Sequence, residues 1–119
     1  MENIAVIDDD ELVRATLADC MESAGYAVEG FGSAEAFLAS GSSRKPACLI
    51  VDIQLPGISG LELQDKLAGA GNHVPIVFVS AQGTSANRER AIRQGAAGFL
   101  SKPFRREELL KQIRVAIQR

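Results

Sequence analysis

Acids, a hydroxyl and a lysine recur in this 119-residue chain at the ends of short apolar runs. Asp8, Asp9 and Asp10 follow residues 4–7, Asp52 follows 49–51, Ser80 and Ala81 follow 76–79, and Ser101 and Lys102 follow 98–100. Ionised carboxylates brought close together repel, so a cluster of Asp8, Asp9 and Asp52 must take up a cation or raise the pKa of a member. Magnesium suits such a group, because it prefers oxygen ligands and is commonly held by one or two carboxylates together with phosphate oxygens and water. Asp9 and Asp52 can supply those carboxylates. Lys102 adds a positive point charge, and the Ser80 hydroxyl and the Ala81 backbone N–H can donate to a phosphoryl oxygen. A carboxylate at the centre of this set can act as a nucleophile.

Elements of two kinds must position these groups. Val- and Ile-rich runs alternate with segments of helical periodicity, which predicts βα units around a parallel sheet. Ligands of such sheets bind beyond the carboxyl ends of the strands, where the polar residues named above fall. The runs 4–7, 49–51 and 76–79 are nearly all apolar and predict central strands, whereas 26–29 and 98–100 are shorter or more mixed and predict edges. Val13, Leu17, Cys20, Met21 and Ala24 recur at helical steps behind an Asp10 cap, with Gly25 as the stop. Leu109, Leu110, Ile113 and Ile117 predict a last helix, and Ser33 and Gly60 open two shorter ones around Phe37 and Leu63. The fourth candidate helix, 85–94, offers little beyond Ala91 and Ile92 as apolar anchors beside Arg88, Arg90 and Arg93, and weak anchoring permits movement. Residues 40–46 read as a surface loop, and no linker or repeat divides the chain, which gives one (βα)5 domain over residues 1–119.

Each polar residue alone has a plainer role: Asp10 as a helix cap, Ser80 or Asp52 as a turn residue, and Lys102 before Pro103 as a solvated charge. Their joint occurrence after four strands favours a site. The net charge of -2 conceals an asymmetry, since residues 1–83 carry 4 basic and 12 acidic side chains and residues 84–119 carry 9 and 3. The basic third reads as solvated helix faces; its only aromatics are Phe99 and Phe104, which argues against direct nucleic-acid binding. Cys20 and Cys48 lack metal-site or disulfide spacing, which points to a reducing, cytosolic setting. No apolar run approaches a membrane span, and the first ten residues lack a signal-peptide pattern.

The segments VIDDDELVR, LIVDIQLPGISGLEL, FVSA and FLSKPF, in this order, resemble the receiver (CheY-like) domain of two-component response regulators, from about residue 4 to 117. The early segments VIDDDELVR and AGYAVEGFGSAEAFL are most similar to receivers joined to LuxR-type helix-turn-helix output domains, such as those of nitrogen-fixation regulators. The resemblance implies a flavodoxin-like, doubly wound α/β fold with strand order 2-1-3-4-5. It implies Asp52 as phosphoacceptor for a sensor histidine kinase, with magnesium or manganese held by Asp9, Asp52 and the Gln54 backbone carbonyl and by Asp8 through water. It further implies Ser80 and Lys102 at the phosphoryl group, Ala81 as a backbone contact, Ser80 and Phe99 as a switch, and a cis peptide between Lys102 and Pro103. Gln54 and Gln82 occupy positions that tune dephosphorylation in the family. The implied output face comprises the fourth helix, fifth strand and fifth helix, where Arg88, Arg90, Arg93 and Lys111 could meet a second copy or an output domain. The last helix ends close to the last residue, so no output domain is expected within these residues.

Two other classes compete. A phosphohydrolase of the haloacid-dehalogenase type also pairs an Asp nucleophile with a lysine, but it carries a second Asp two residues on, where Gln54 stands here. A phosphorylation-independent module with the same fold usually loses the acid pair, the acceptor or the lysine, all of which are present.

Overall fold

Every apolar run extends into a strand and each strand is followed by a helix: β1 (Asn3–Ile7), α1 (Glu11–Ser23), β2 (Ala27–Phe31), α2 (Ala34–Ala39), β3 (Cys48–Asp52), α3 (Gly60–Gly69), β4 (Ile76–Ser80), α4 (Ser85–Arg93), β5 (Gly98–Ser101) and α5 (Arg106–Ile117). The computed structural model describes residues 2–41, 45–81 and 85–118. Residues 42–44 of the 40–46 loop, and Gln82, lie outside the described residues. The strands form one parallel sheet in the order β2-β1-β3-β4-β5. This is the (βα)5 arrangement expected from the alternation of elements, in the doubly wound strand order that the family resemblance implies.

Side chains of a strand alternate between faces, and the two cores follow that period. Ile4 and Val6 of β1 pack with Leu17 and Met21 of α1 and with Leu109, Ile113 and Ala116 of α5. Ala5 and Ile7 face the other way, toward Ala34 of α2, Leu61, Leu63 and Leu67 of α3, and Ala91 of α4. All five residues of β3 and of β4 are buried, as strands covered on both faces require, while β2 is only partly covered at its edge. Side-chain caps fix the helix starts. Asp10 accepts from the backbone N–H of Leu12 and Val13, Ser33 from Ala36, and Ser59 forms a reciprocal capping box with Glu62, so that Gly60 is the first residue of α3.

Two expectations need correction. The second strand is Ala27–Phe31 and not 26–29: Tyr26 stays outside it, and it continues past Glu29 because Gly30 stays in register opposite Val6 and does not break the strand. Ile92 is not an anchor of α4: it is 49% exposed, whereas Ala91 is fully buried. Successive helical residues point about 100° apart, so only one of the two can face the sheet. What α4 lacks in apolar contact it gains in polar straps from α3. Buried Gln64 donates from Nε2 to the Ala91 carbonyl at 3.1 Å, and Asp65 accepts from Arg90 Nη2 at 3.0 Å and from Gln94 Nε2 at 2.6 Å. Arg90 is therefore engaged with α3.

Candidate functional site

The sheet order places the carboxyl ends of β1 and β3 side by side at its centre, with Ile7 opposite Val51, so Asp8 and Asp52 emerge abreast. Asp52 is the last residue of β3 and Ser80 the last of β4, each one residue longer than the apolar run alone indicated. Asp8, Asp9 and Asp52 each present an oxygen within 4.8 Å of the others. From the far side of β4, Lys102 follows β5 and brings Nζ to 3.5 Å from Asp52 Oδ2 and 3.6 Å from Asp8 Oδ2. Its own N–H donates to the Ser80 carbonyl at 2.8 Å, and the peptide to Pro103 is cis.

Local hydrogen bonds orient the acids. The Asp8 N–H donates to the Phe31 carbonyl at 3.1 Å, and Asp8 Oδ1 accepts from the Asp10 N–H at 2.9 Å. Asp52 Oδ1 accepts from the Gln54 N–H, also at 2.9 Å. Asp8 Oδ2 is buried without a hydrogen-bond donor among the described residues. These are hard oxygen donors of the type magnesium takes, and a buried carboxylate oxygen lacking a donor is suited to a cation or its bound water. Asp9 is exposed, so the cluster opens to solvent on that side.

Burial pushes the Asp8 carboxyl above its ordinary value of 3.8, against the opposing pull of the Asp10 N–H and the Lys102 charge. Its sign fixes a pH dependence. A carboxyl raised in the folded state stabilises folding fully below its ordinary pKa, and that contribution is lost as pH rises through the folded value. At neutral pH without a divalent cation, ionised Asp8 therefore opposes folding. Asp8→Asn is expected to melt above the parent at pH 7, with the gap closing as pH falls toward 4 and with magnesium raising the melting temperature of the parent more than that of the variant. Thermal denaturation followed by circular dichroism, with and without magnesium, checks both.

The remaining candidates separate into two groups. Ser80 is fully buried at the end of β4 and Ala81 is exposed just beyond it, next to the acids in the sheet order. Phe99 lies opposite Phe78 in the sheet and is 7% exposed, packed in the core that holds Ala91. Gln54 is exposed beside Asp52. Arg88 and Arg93 instead line a surface hollow on α4 with Ile92, and Lys111 lines another on α5 with Gln112 and Val115. His73 is exposed at the opposite end of the sheet, beside a cleft of about 640 Å³ near the strands' amino ends. Residue spacing did not reveal Arg14, whose Nη1 donates to the Asp8 carbonyl at 2.7 Å, nor the close approach of Gly60 to the end of β3. Neither carries a periodic signal, although the Pro56-Gly57 pair so soon after Asp52 implies a tight return of the chain.

A family model, that of the response regulator receiver domain, matches residues 4–114. The response regulator protein TmoT of Ectopseudomonas mendocina is 42% identical over 115 residues, covering 97% of this chain and 52% of that protein. The transcriptional regulatory protein FixJ of Azorhizobium caulinodans is 39% identical over 116 residues, 98% of this chain and 55% of its own length. The chain thus spans about half the length of these relatives. Among solved structures, the crystal structure of FixJ-N superposes with a TM-score of 0.91 at 30% identity, covering 99% of this chain and 94% of the other. Among the described residues no helix is long and apolar enough to cross a membrane.

Proposed function

This chain belongs to the response regulator receiver domain family, and we propose that within it Asp52 takes a phosphoryl group from the phosphohistidine of a sensor histidine kinase in a magnesium-dependent step. The observation that carries this reading is the convergence of Asp8, Asp9 and Asp52 oxygens within 4.8 Å, with Lys102 Nζ against Asp52 Oδ2. A carboxylate oxygen of Asp52 attacks phosphorus in line, the P–N bond breaks, and its electron pair leaves on the imidazole. Magnesium, or manganese, would be held by Asp9, Asp52 and the Gln54 carbonyl and through water by Asp8, and it supplies positive charge at the phosphoryl oxygens. Lys102 places its ammonium on the same side, and the Ser80 hydroxyl and Ala81 N–H donate to the remaining oxygens. The activity is confined to phosphotransfer and autodephosphorylation.

Phosphoryl charge at Asp52 draws the Ser80 hydroxyl inward and Phe99 repacks behind it, moving α4 against β5 and α5. Residues 1–119 form a cytoplasmic receiver domain, and Arg88, Arg93 and Lys111 on that face meet a second copy or an output domain. The output is transcription, as the name of the relative FixJ states for that protein, and this domain itself does not bind nucleic acid. Intact mass after incubation with acetyl phosphate tests the reading. A gain of one phosphoryl group that needs magnesium and disappears in Asp52→Asn is expected; an undiminished gain in the variant removes Asp52 from the role.

A further inference from the structure

In the reading proposed above, Asp9 meets the cation directly, yet among the described residues none hydrogen-bonds its exposed carboxylate. The backbone on either side must therefore aim it. Before it, the Asp8 N–H is tied to the Phe31 carbonyl, and after it the Asp10 side chain caps α1 at Leu12 and Val13. A third tie acts on the peptide in between. Arg14, in the second turn of α1, reaches back and donates from Nη1 to the Asp8 carbonyl at 2.7 Å, the length of a strong charge-assisted bond. The peptide unit is planar, so holding the Asp8 carbonyl also holds the Asp9 nitrogen and Cα, and with Asp10 tied by its N–H to Asp8 and by its side chain to α1 little backbone rotation is left to redirect the Asp9 side chain.

The partly buried Arg14 side chain runs over β2 and the residue after it, where two glycines alternate on one face. A Cβ at Gly30 would lie 3.5 Å from Arg14 Cδ, and one at Gly32 would lie 3.5 Å from Nη1. Anything larger than a methyl group at Gly30 would compete for the path of the arginine.

We infer that Arg14 is a positioning residue for magnesium, fixing the Asp8–Asp9 peptide so that the Asp9 carboxylate is aimed before the cation arrives. This inference rests on the phosphoacceptor reading. It makes a claim opposite in sign to the arginine's charge. A guanidinium near a cation site repels the cation, so charge alone predicts tighter magnesium binding when Arg14 is removed. Loss of a residue that orients metal ligands weakens binding, typically by about tenfold or more.

Magnesium affinity is measured by calorimetry on the whole chain, and thermal melting identifies any variant that fails to fold. Arg14→Ala is expected to weaken binding about tenfold. Phosphoryl uptake at saturating magnesium should stay within about twofold of the parent, because bound cation restores the ligand geometry. Arg14→Lys, which keeps reach and a donor, recovers most of the affinity. Gly30→Val keeps the charge of Arg14 but fills its path, and it should weaken binding in the same direction; a β-branched residue suits a strand position. Unchanged or tighter binding in both Arg14→Ala and Gly30→Val overturns the inference while leaving the phosphoacceptor reading intact. A parent chain that binds no magnesium and takes up no phosphoryl group overturns both.

Discussion

Lys102→Gln is expected to slow phosphoryl uptake from acetyl phosphate about a hundredfold, the scale on which removal of a preorganised donor at a developing charge acts. Its ammonium stands 3.5 Å from Asp52 Oδ2 and 3.6 Å from Asp8 Oδ2, and Asp8 is almost fully buried. Glutamine can still donate a hydrogen bond but carries no charge, so the variant isolates the electrostatic part. A second effect has the same origin. Lys102 is one of the groups that hold the Asp8 pKa down against burial. Without it the carboxyl rises further, and the variant loses stability at neutral pH when no magnesium is present. That deficit should shrink as pH falls and Asp8 is protonated, and it should shrink again when magnesium is added. A time course of intact mass reads the first effect, and melting curves at several pH values read the second. A variant that accepts phosphoryl at the parent rate would mean that Lys102 only decorates the site.

Gly60→Ala is expected to lower stability by about 2 kcal/mol, within the usual range for overpacking a rigid site, and to slow phosphoryl uptake as well. A Cβ at this position would lie 2.5 Å from the Asp52 carbonyl oxygen and 2.9 Å from Ile53 Cα. Both neighbours are backbone, so neither can swing away as a side chain would. The Gly60 N–H also donates to the Ile53 carbonyl at 3.0 Å, which ties the start of α3 to the end of β3. Alanine at the start of a helix returns up to about 1 kcal/mol of intrinsic preference, too little to offset two backbone overlaps. Relief requires the turn after Asp52 to shift, and with it the Asp52 carboxylate and the Gln54 N–H that orients it. Gly69→Ala is the control, since a Cβ there meets nothing within 4 Å. It should be neutral or slightly stabilising, by about 0.5 kcal/mol. Urea denaturation at pH 7 and the uptake rate of both variants check the pair.

The parts of this molecule that could be read from sequence are those written in short-range periodicity. Strands β3 and β4 are buried along their whole length, which leaves uninterrupted apolar runs, and the residue that breaks each run is the one that reaches the rim. That pattern of run and break marks the acids, Ser80 and Lys102 as neighbours on one rim. The misread elements are those whose partners lie far along the chain. Ile92 and Ala91 both read as apolar anchors in sequence, and only the phase of α4 against the sheet decides that Ala91 is buried and Ile92 exposed. The straps from Gln64 and Asp65 to α4 span 25 to 29 residues and join polar groups that would each read as solvated. The mixed run 26–29 stops short of Gly30, whose missing side chain opens the path that Arg14 takes to the Asp8 carbonyl. Gly60 read as a helix opener, while its close approach to Asp52 depends on how sharply the chain turns back after β3.

The central claim is that Asp52 itself carries the phosphoryl group, and the most direct test identifies the modified residue chemically. After reaction with acetyl phosphate and magnesium, borohydride reduces an aspartyl phosphate to homoserine, and tandem mass spectrometry of the digested chain locates the change. Homoserine at position 52, and only in samples that contained magnesium, is the expected result. Unmodified Asp52 in protein that has gained phosphoryl mass, or homoserine at Asp8 or Asp9 instead, would contradict the account.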